Sequence, residues 1–299
     1  MKNMHQQLLL LFICIAANNP SHAAPITESL EFTVEDSPIL DIDVSFGDIS
    51  LVNGESSKIV VEYDTQETTN IKVEQRGNGI YIEAKAIYNR GFSKWWKLWE
   101  SREEAQYRIQ VPVNSLAKIR LGGGEVVVRD FSGHLNLKGR GTKVSLYNSS
   151  VTADISTNGG DIFLQDSSGN FEIGSIGGSV EIEGMNDSNL DVSTISGDID
   201  FSKSNFSGGR YDFSAVSGDI RISHSEDAAF ELSGWYMKKP PKIDNGQEFW
   251  LKEEEITEET AWGKEWVGDE RYLFKGTYNG GGSLVEIKTS HGLISLQLD

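Results

Sequence analysis

The phrase STISGDIDF runs from Ser193 to Phe201, and SAVSGDIRI follows from Ser214 to Ile222. Near-identical wording that returns after 21 residues restricts the fold more than any other property of this chain. In the general form Gly-x-apolar-x-apolar, the phrase occurs at Gly124, Gly133, Gly160, Gly169, Gly178, Gly197, Gly209 and Gly218, and one residue late at Gly141. The step is about nine residues, and alternate units match best. Their full steps are 18 (Gly160 to Gly178), 19 (Gly178 to Gly197) and 21 (Gly197 to Gly218).

Apolar residues at every second position mean short strands with one buried face. Gly, Ser, Asn and Asp between them mean tight corners. An all-β β-solenoid, parallel β-helix-like, with about 18–21 residues per coil, satisfies both patterns. Each coil is strand, corner, strand, corner, and lies on the next at about 4.8 Å. Ile162, Val180, Ile199 and Ile220 then meet their equivalents up the stack. Glycine is expected to turn the corners at positive φ, and Ser or Thr beside it to bond the turn backbone. An antiparallel β-sandwich also has short alternating strands, but nothing in it requires matching residues at this long step.

The two ends depart from the rhythm. Residues 1–23 have a lysine, an apolar run (Leu8 to Ala17) and small residues at Ser21 and Ala23. This is the pattern of a secretory signal peptide cut after Ala23, too short to be a membrane span. Its loss takes the net charge from −18 to −19 and removes the single cysteine, Cys14. The mature chain then has no disulfide, no thiol chemistry and no long apolar stretch. Export to the periplasm, the cell surface or the medium is expected.

Residues 24–120 form N-terminal strands and a β cap. They begin with two regular units at Leu40 to Val44 and Gly47 to Leu51, followed by strands expected to join as ordinary hairpins (KIVVEY, NIKVEQ, GIYIEA, QYRIQV). A Trp-rich insert occupies 89–105. The regular solenoid covers 121–234, an acidic insertion 235–281, and a closing coil 282–299.

The reiterated T-x-SGDI phrase, the VPVN at Val111 to Asn114 and the closing TSHGLISL from Thr289 resemble the "putative adhesin" family of bacterial β-strand-repeat domains. The resemblance covers roughly Ile39 to Leu298. It implies an exported, surface-type, non-enzymatic protein with no established activity. The Trp-rich insert and the acidic insertion are not part of the shared pattern.

A net charge of −18 disfavours nucleic acid and anionic membranes as partners. The expected partner is an envelope protein, a surface glycan or divalent cations. Aligning coils places Glu172, Asp191, Asp212 and Glu231 in one outward column. Neighbouring charges there repel by about 1 kcal/mol in water. Such a column serves solubility, or captures divalent cations or a basic partner. Asp161, Asp198 and Asp219 stand beside the corners on the other outer face. They lie immediately before an apolar residue, unlike the turn aspartates of calcium-binding β-rolls.

Trp95, Trp96 and Trp99, with Lys94 and Lys97 between and beside them, would gather on one side of a short helix. They either cap the solenoid or contact a membrane interface, a protein or a sugar. Catalytic, cofactor and metal residues are not expected. His134, His224 and His291 lack metal spacing, and no nucleophile elbow or phosphate loop occurs. The alternative of another class is a carbohydrate-active β-helix enzyme, a polysaccharide lyase or glycosidase, which needs paired acids.

Overall fold

The computed structural model describes residues 26–65, 69–86, 105–185, 187–238, 241–243, 250–253, 259–260, 263–264 and 271–298. The leader with its cleavage point, and Trp95, Trp96 and Trp99, lie outside the described residues. Among the described residues every regular element is a strand.

The regular part consists of paired strands. The pairs are β9 (Gly124–Arg129) with β10 (Ser132–Gly139), β11 (Thr142–Tyr147) with β12 (Ser150–Thr157), and β13 (Ile162–Gln165) with β14 (Ser168–Ser175). They continue as β15 (Val180–Glu183) with β16 (Ser188–Thr194), β17 (Ile199–Ser204) with β18 (Arg210–Ala215), and β19 (Ile220–His224) with β20 (Phe230–Tyr236). Odd-numbered strands stack in parallel in one sheet and even-numbered strands in a second. The chain is therefore a β-solenoid.

Registers place like on like. Val144 pairs with Ile162, Ile162 with Val180, Val180 with Ile199, and Ile199 with Ile220. In the second sheet Ile155, Ile173, Val192 and Phe213 follow one another. All of these side chains are buried between the sheets. Full burial of each contributes roughly 1.5–3 kcal/mol before the entropy of ordering is subtracted.

The corners explain the shared wording. In the corner that follows each even strand, Thr194 Oγ1 donates to the Gly197 carbonyl at 2.6 Å, and Thr157 does the same to Gly160 at 2.9 Å. Positive φ is not what selects these glycines: Gly160, Gly178, Gly197, Gly218 and Gly292 all lack it. For these glycines the expectation of a positive φ is corrected to a need for close approach, whereas Gly124, Gly169 and Gly209 of the same phrase do adopt positive φ. A Cβ at Gly197 would lie 2.0 Å from the Gly178 carbonyl oxygen, and one at Gly218 1.9 Å from that of Gly197. The opposite corner does use left-handed backbone, supplied by Asp130, Asn148, Asp166 and Gly184 at 18-residue steps. Asn and Asp tolerate that conformation through local side-chain bonding.

Both ends are interlocked. The N-terminal elements are β1 (Ile26–Thr33), β2 (Ile39–Val44), β3 (Gly47–Asn53), β4 (Lys58–Thr65), β5 (Thr69–Arg76), β6 (Gly79–Ala86), β7 (Ala105–Val111) and β8 (Ser115–Leu121). The first coil, β2 with β3, is held between later chain: β6 and β8 flank β2, while β7 and β9 flank β3, all in parallel. Only part of this region is hairpin-like. β5 pairs antiparallel with β6, and β4 antiparallel with β1 and β7. The segments GIYIEA and QYRIQV nevertheless join the parallel stack, because their apolar faces continue its inner columns.

At the far end lie β21 (Lys242–Ile243), β22 (Trp250–Glu253), β23 (Glu259–Thr260), β24 (Gly263–Lys264), β25 (Tyr272–Tyr278), β26 (Ser283–Thr289) and β27 (Ile294–Leu298). β26 inserts between β18 and β20, and β27 lies between β19 and β21. β25 covers β20 antiparallel and carries β22 on its other edge.

Gly197→Ala is expected to destabilise by about 3 kcal/mol, since the backbone below cannot yield as a side chain would. Gly141→Ala, where an added Cβ meets nothing within 4 Å, should stay within about 0.5 kcal/mol. Chemical denaturation of both variants checks the contrast.

Candidate functional site

The outward faces follow from the same registers. On the second sheet, one column reads Asn136, Asp154, Glu172, Asp191, Asp212 and Glu286. Three of the four acids expected from the sequence, Glu172, Asp191 and Asp212, are thus adjacent, with Asp154 continuing the line below. Glu231 is not in the column. It pairs in register with Leu284 and Thr277, because the inserted β26 takes the place next to β18 and brings Glu286 to the slot. On β20 itself the row of Asp212 and Glu286 is continued by Ser233, two residues beyond Glu231.

Beside the acids runs a second outward column of His134, Thr152, Asn170 and Asn189. The two columns line a shallow groove of about 620 Å³ on the outer face of the second sheet. Its polar groups partly satisfy one another. Asn136 Nδ2 donates to Asp154 Oδ2 at 2.8 Å, and Asn189 Nδ2 donates to Asn170 Oδ1 at 2.7 Å.

Charge is balanced at one end of the groove only. Arg210 contacts Glu286 at 2.8 Å and Asp212 at 3.4 Å, and Lys288 contacts Asp212 at 3.0 Å and Glu286 at 3.2 Å. Burial opposes the charge on Lys288, but the hydrogen bonds it donates to Asp212 and Glu286 outweigh it and raise the ammonium above its ordinary range. Among the described residues, Glu172 and Asp191 make no such pair, and both are exposed. They leave two adjacent negative charges facing solvent in the middle of the groove. No three of His, Asp and Glu converge as a metal site among the described residues.

The aspartates of the SGD phrase have a different task, one that the sequence alone did not disclose. Asp161 Oδ1 accepts the Ser179 N–H at 2.9 Å, Asp198 Oδ1 accepts that of Asp219 at 2.9 Å, and Asp219 Oδ1 accepts that of Leu293 at 2.8 Å. Each carboxylate ties its corner to the coil above. Arg221 reaches Asp198 at 3.0 Å, Asp200 at 3.1 Å and Asp219 at 3.3 Å. Hydrogen bonding to Asp200, then to Asp198, outweighs burial and raises the Arg221 guanidinium further. The available signal was the recurrence of Asp directly after the corner glycine in three of four successive coils, with Ser179 in the other.

The histidines divide. His134 and His291 are exposed, whereas His224 is buried among aromatic rings, with its centroid 5.4 Å from Phe230 and 5.0 Å from Tyr278. No helix among the described residues is long and apolar enough to cross a membrane.

A family model described as Toastrack DUF4097 matches residues 39–234, from the start of β2 into β20. No curated protein matches the chain. Solved structures similar to it include three described in these words. A "putative cell adhesion protein" from Clostridium sporogenes has 13% identity over 92% of this chain and 100% of that one, with a TM-score of 0.30. A "putative adhesin" from Bacteroides fragilis has 12% identity over 91% and 97%, with a TM-score of 0.41. A "putative lipid binding protein" from Parabacteroides distasonis has 12% identity over 91% and 96%, with a TM-score of 0.39.

Two kinds of acid separate under mutation. Asp198→Ala should cost about 1–2 kcal/mol by stranding a half-buried N–H, and Asp198→Asn should restore more than half of that. Glu172→Gln should be neutral or slightly stabilising at low salt, because it relieves repulsion along the column. Thermal melts of the three variants read out the difference.

Proposed function

The chain belongs to the Toastrack DUF4097 family, and on that premise we propose that it is an exported, non-enzymatic binding module of the cell envelope. Its working surface is the groove on the outer face of the second sheet, and its partner is an extended, positively charged segment of an envelope protein. What carries this is the pair Glu172 and Asp191, neighbours in register on adjacent strands. Both are exposed, uncompensated among the described residues and repeated in kind above and below. A row of like charges at strand spacing costs stability when empty and loses that cost when a cationic chain lies along it.

Capture of divalent cations is less favoured by this geometry, since the carboxylates stand in a row and do not converge. Glycoside cleavage needs two carboxyl groups on either side of the scissile bond, whereas Glu172 and Asp191 project side by side from one sheet face. The N-terminal signature at residues 1–23 supports export. The Trp-rich insert with Trp95, Trp96 and Trp99 is proposed as a cap or a secondary contact to the same partner.

Two measurements test this. Amino-terminal sequencing of protein recovered from the envelope fraction should begin at Ala24, and retention of the full-length chain in the cytosol would overturn export. A dodecapeptide of alternating Ser and Lys should bind the mature protein more weakly as salt rises. The double variant Glu172→Gln, Asp191→Asn should weaken it about tenfold; equal affinity for both proteins would remove the acidic groove from the function.

A further inference from the structure

Ile176, Ile195 and Val216 are 48%, 48% and 45% exposed. They occupy the same place in three successive coils, the residue after the buried Ser175, Thr194 or Ala215 at the corner. The corner backbones bond one to the next. Ile195 N–H donates to the Ser175 carbonyl and Ser196 N–H to that of Ile176, while Val216 N–H donates to that of Thr194 and Ser217 N–H to that of Ile195. The three side chains therefore form one continuous apolar ridge along an edge of the solenoid. The positions that follow them are Gly177, Ser196 and Ser217, so nothing bulky shields the ridge. It ends at Asn158 on one side and Ser290 on the other.

The fold does not require apolar residues there. The neighbouring small polar residue and the glycine shape the corner, and Asn158 and Ser290 fill the same slot elsewhere. Exposed apolar residues scattered singly need no explanation, but a contiguous set does. The ridge is also bordered by acid. Four residues before it stand Glu172 and Asp191, which have no ion pair among the described residues, and Asp212, which Arg210 and Lys288 contact; three residues after it stand Ser179 and the Asp198 and Asp219 that Arg221 bridges.

We propose that this ridge docks a segment of a partner protein that presents apolar side chains flanked by Lys or Arg. The proposal deepens the function proposed above and rests on it for the attraction of positive charge. Charge complementarity selects this occupant. A second copy of the chain would set the uncompensated Glu172 and Asp191 against like charge across the contact, and an anionic lipid surface would meet the same two carboxylates. An apolar centre between basic flanks satisfies both features of the surface at once.

The test compares two labelled dodecapeptides of equal charge, one alternating Leu and Lys, the other Ser and Lys, by fluorescence anisotropy on the mature protein. The Leu–Lys peptide should bind on the order of tenfold tighter. The triple variant Ile176→Ser, Ile195→Ser, Val216→Ser should remove that preference, leaving Ser–Lys binding and the melting temperature unchanged. If the triple variant does not fold, Ile195→Ser alone should remove part of the preference. No preference in the wild type, or a preference that survives the triple variant, overturns the ridge proposal while the acidic groove stands. Failure of the Ser–Lys peptide to bind at all defeats the groove instead. Retention on phosphatidylcholine vesicles, or a dimer, that disappears in the triple variant assigns the ridge to lipid or to self-association and overturns the proposal.

Discussion

Backbone stacked on backbone at the Thr-x-x-Gly corner is the contact on which the rest of the molecule depends. Parallel strands can be added indefinitely only if the turns between them are congruent. Here the turns approach so closely that a Cβ at Gly178, Gly197, Gly218 or Gly292 would fall 1.9–2.1 Å from the carbonyl oxygen below. The buried Thr or Ser bonds the same turn from within, and the aspartate after the glycine bonds the coil above. Three positions of each such corner are thus committed to geometry. That commitment holds the step near twenty residues and brings inward and outward columns into register across both sheets.

Interlocked ends follow from the weakness of any open parallel stack. An unpaired edge offers free N–H and C=O groups to another chain. This molecule covers its ends with antiparallel strands, β1 and β4 on one sheet and β5 on the other, and seats its first coil between strands that come later. At the opposite end β20 lies one place beyond its expected position, leaving a space beside β18 that only residues 283–289 fill. The second sheet is therefore complete only when the last coil has arrived. Contacts of such long sequence separation are slow to form, and they tie the stability of the regular coils to the final seventeen residues of the chain.

The sequence disclosed what repeats locally and hid what depends on non-neighbouring chain. Ile162, Val180, Ile199 and Ile220 stack as their spacing implies, since each coil needs the same inward residue. The column of Glu172, Asp191 and Asp212 was legible for the same reason. Glu231 was misplaced because its strand pairs with a segment returning from far along the chain, in a register that puts Ser233 in the row of Glu286, and no periodicity signals an insertion of that kind. The segments GIYIEA and QYRIQV carry strand alternation that is the same whether the partner runs parallel or antiparallel. Gly124, Gly169 and Gly209 take the expected positive φ, but Gly178, Gly197 and Gly218 are required by contact instead: a single sequence shows that a side chain is missing, not whether torsion or contact demands it. The SGD aspartates looked like surface charge, since a carboxylate bonded to a backbone N–H one coil away has no mark distinguishing it from a solvated one.

Once the core columns and the corners are filled, only the outward strand positions and the second corner residue remain free to vary. Solubility alone would fill them with any mixture of polar groups. Instead the acids of the second sheet are neutralised at one end, by Arg210 and Lys288, and left open at Glu172 and Asp191. The second corner residue turns apolar in the same coils, at Ile176 and Ile195 and again one coil on at Val216. A repeat protein varies what its architecture does not claim, so coincident departures at two unconstrained positions on one edge are the ground for proposing a contact there.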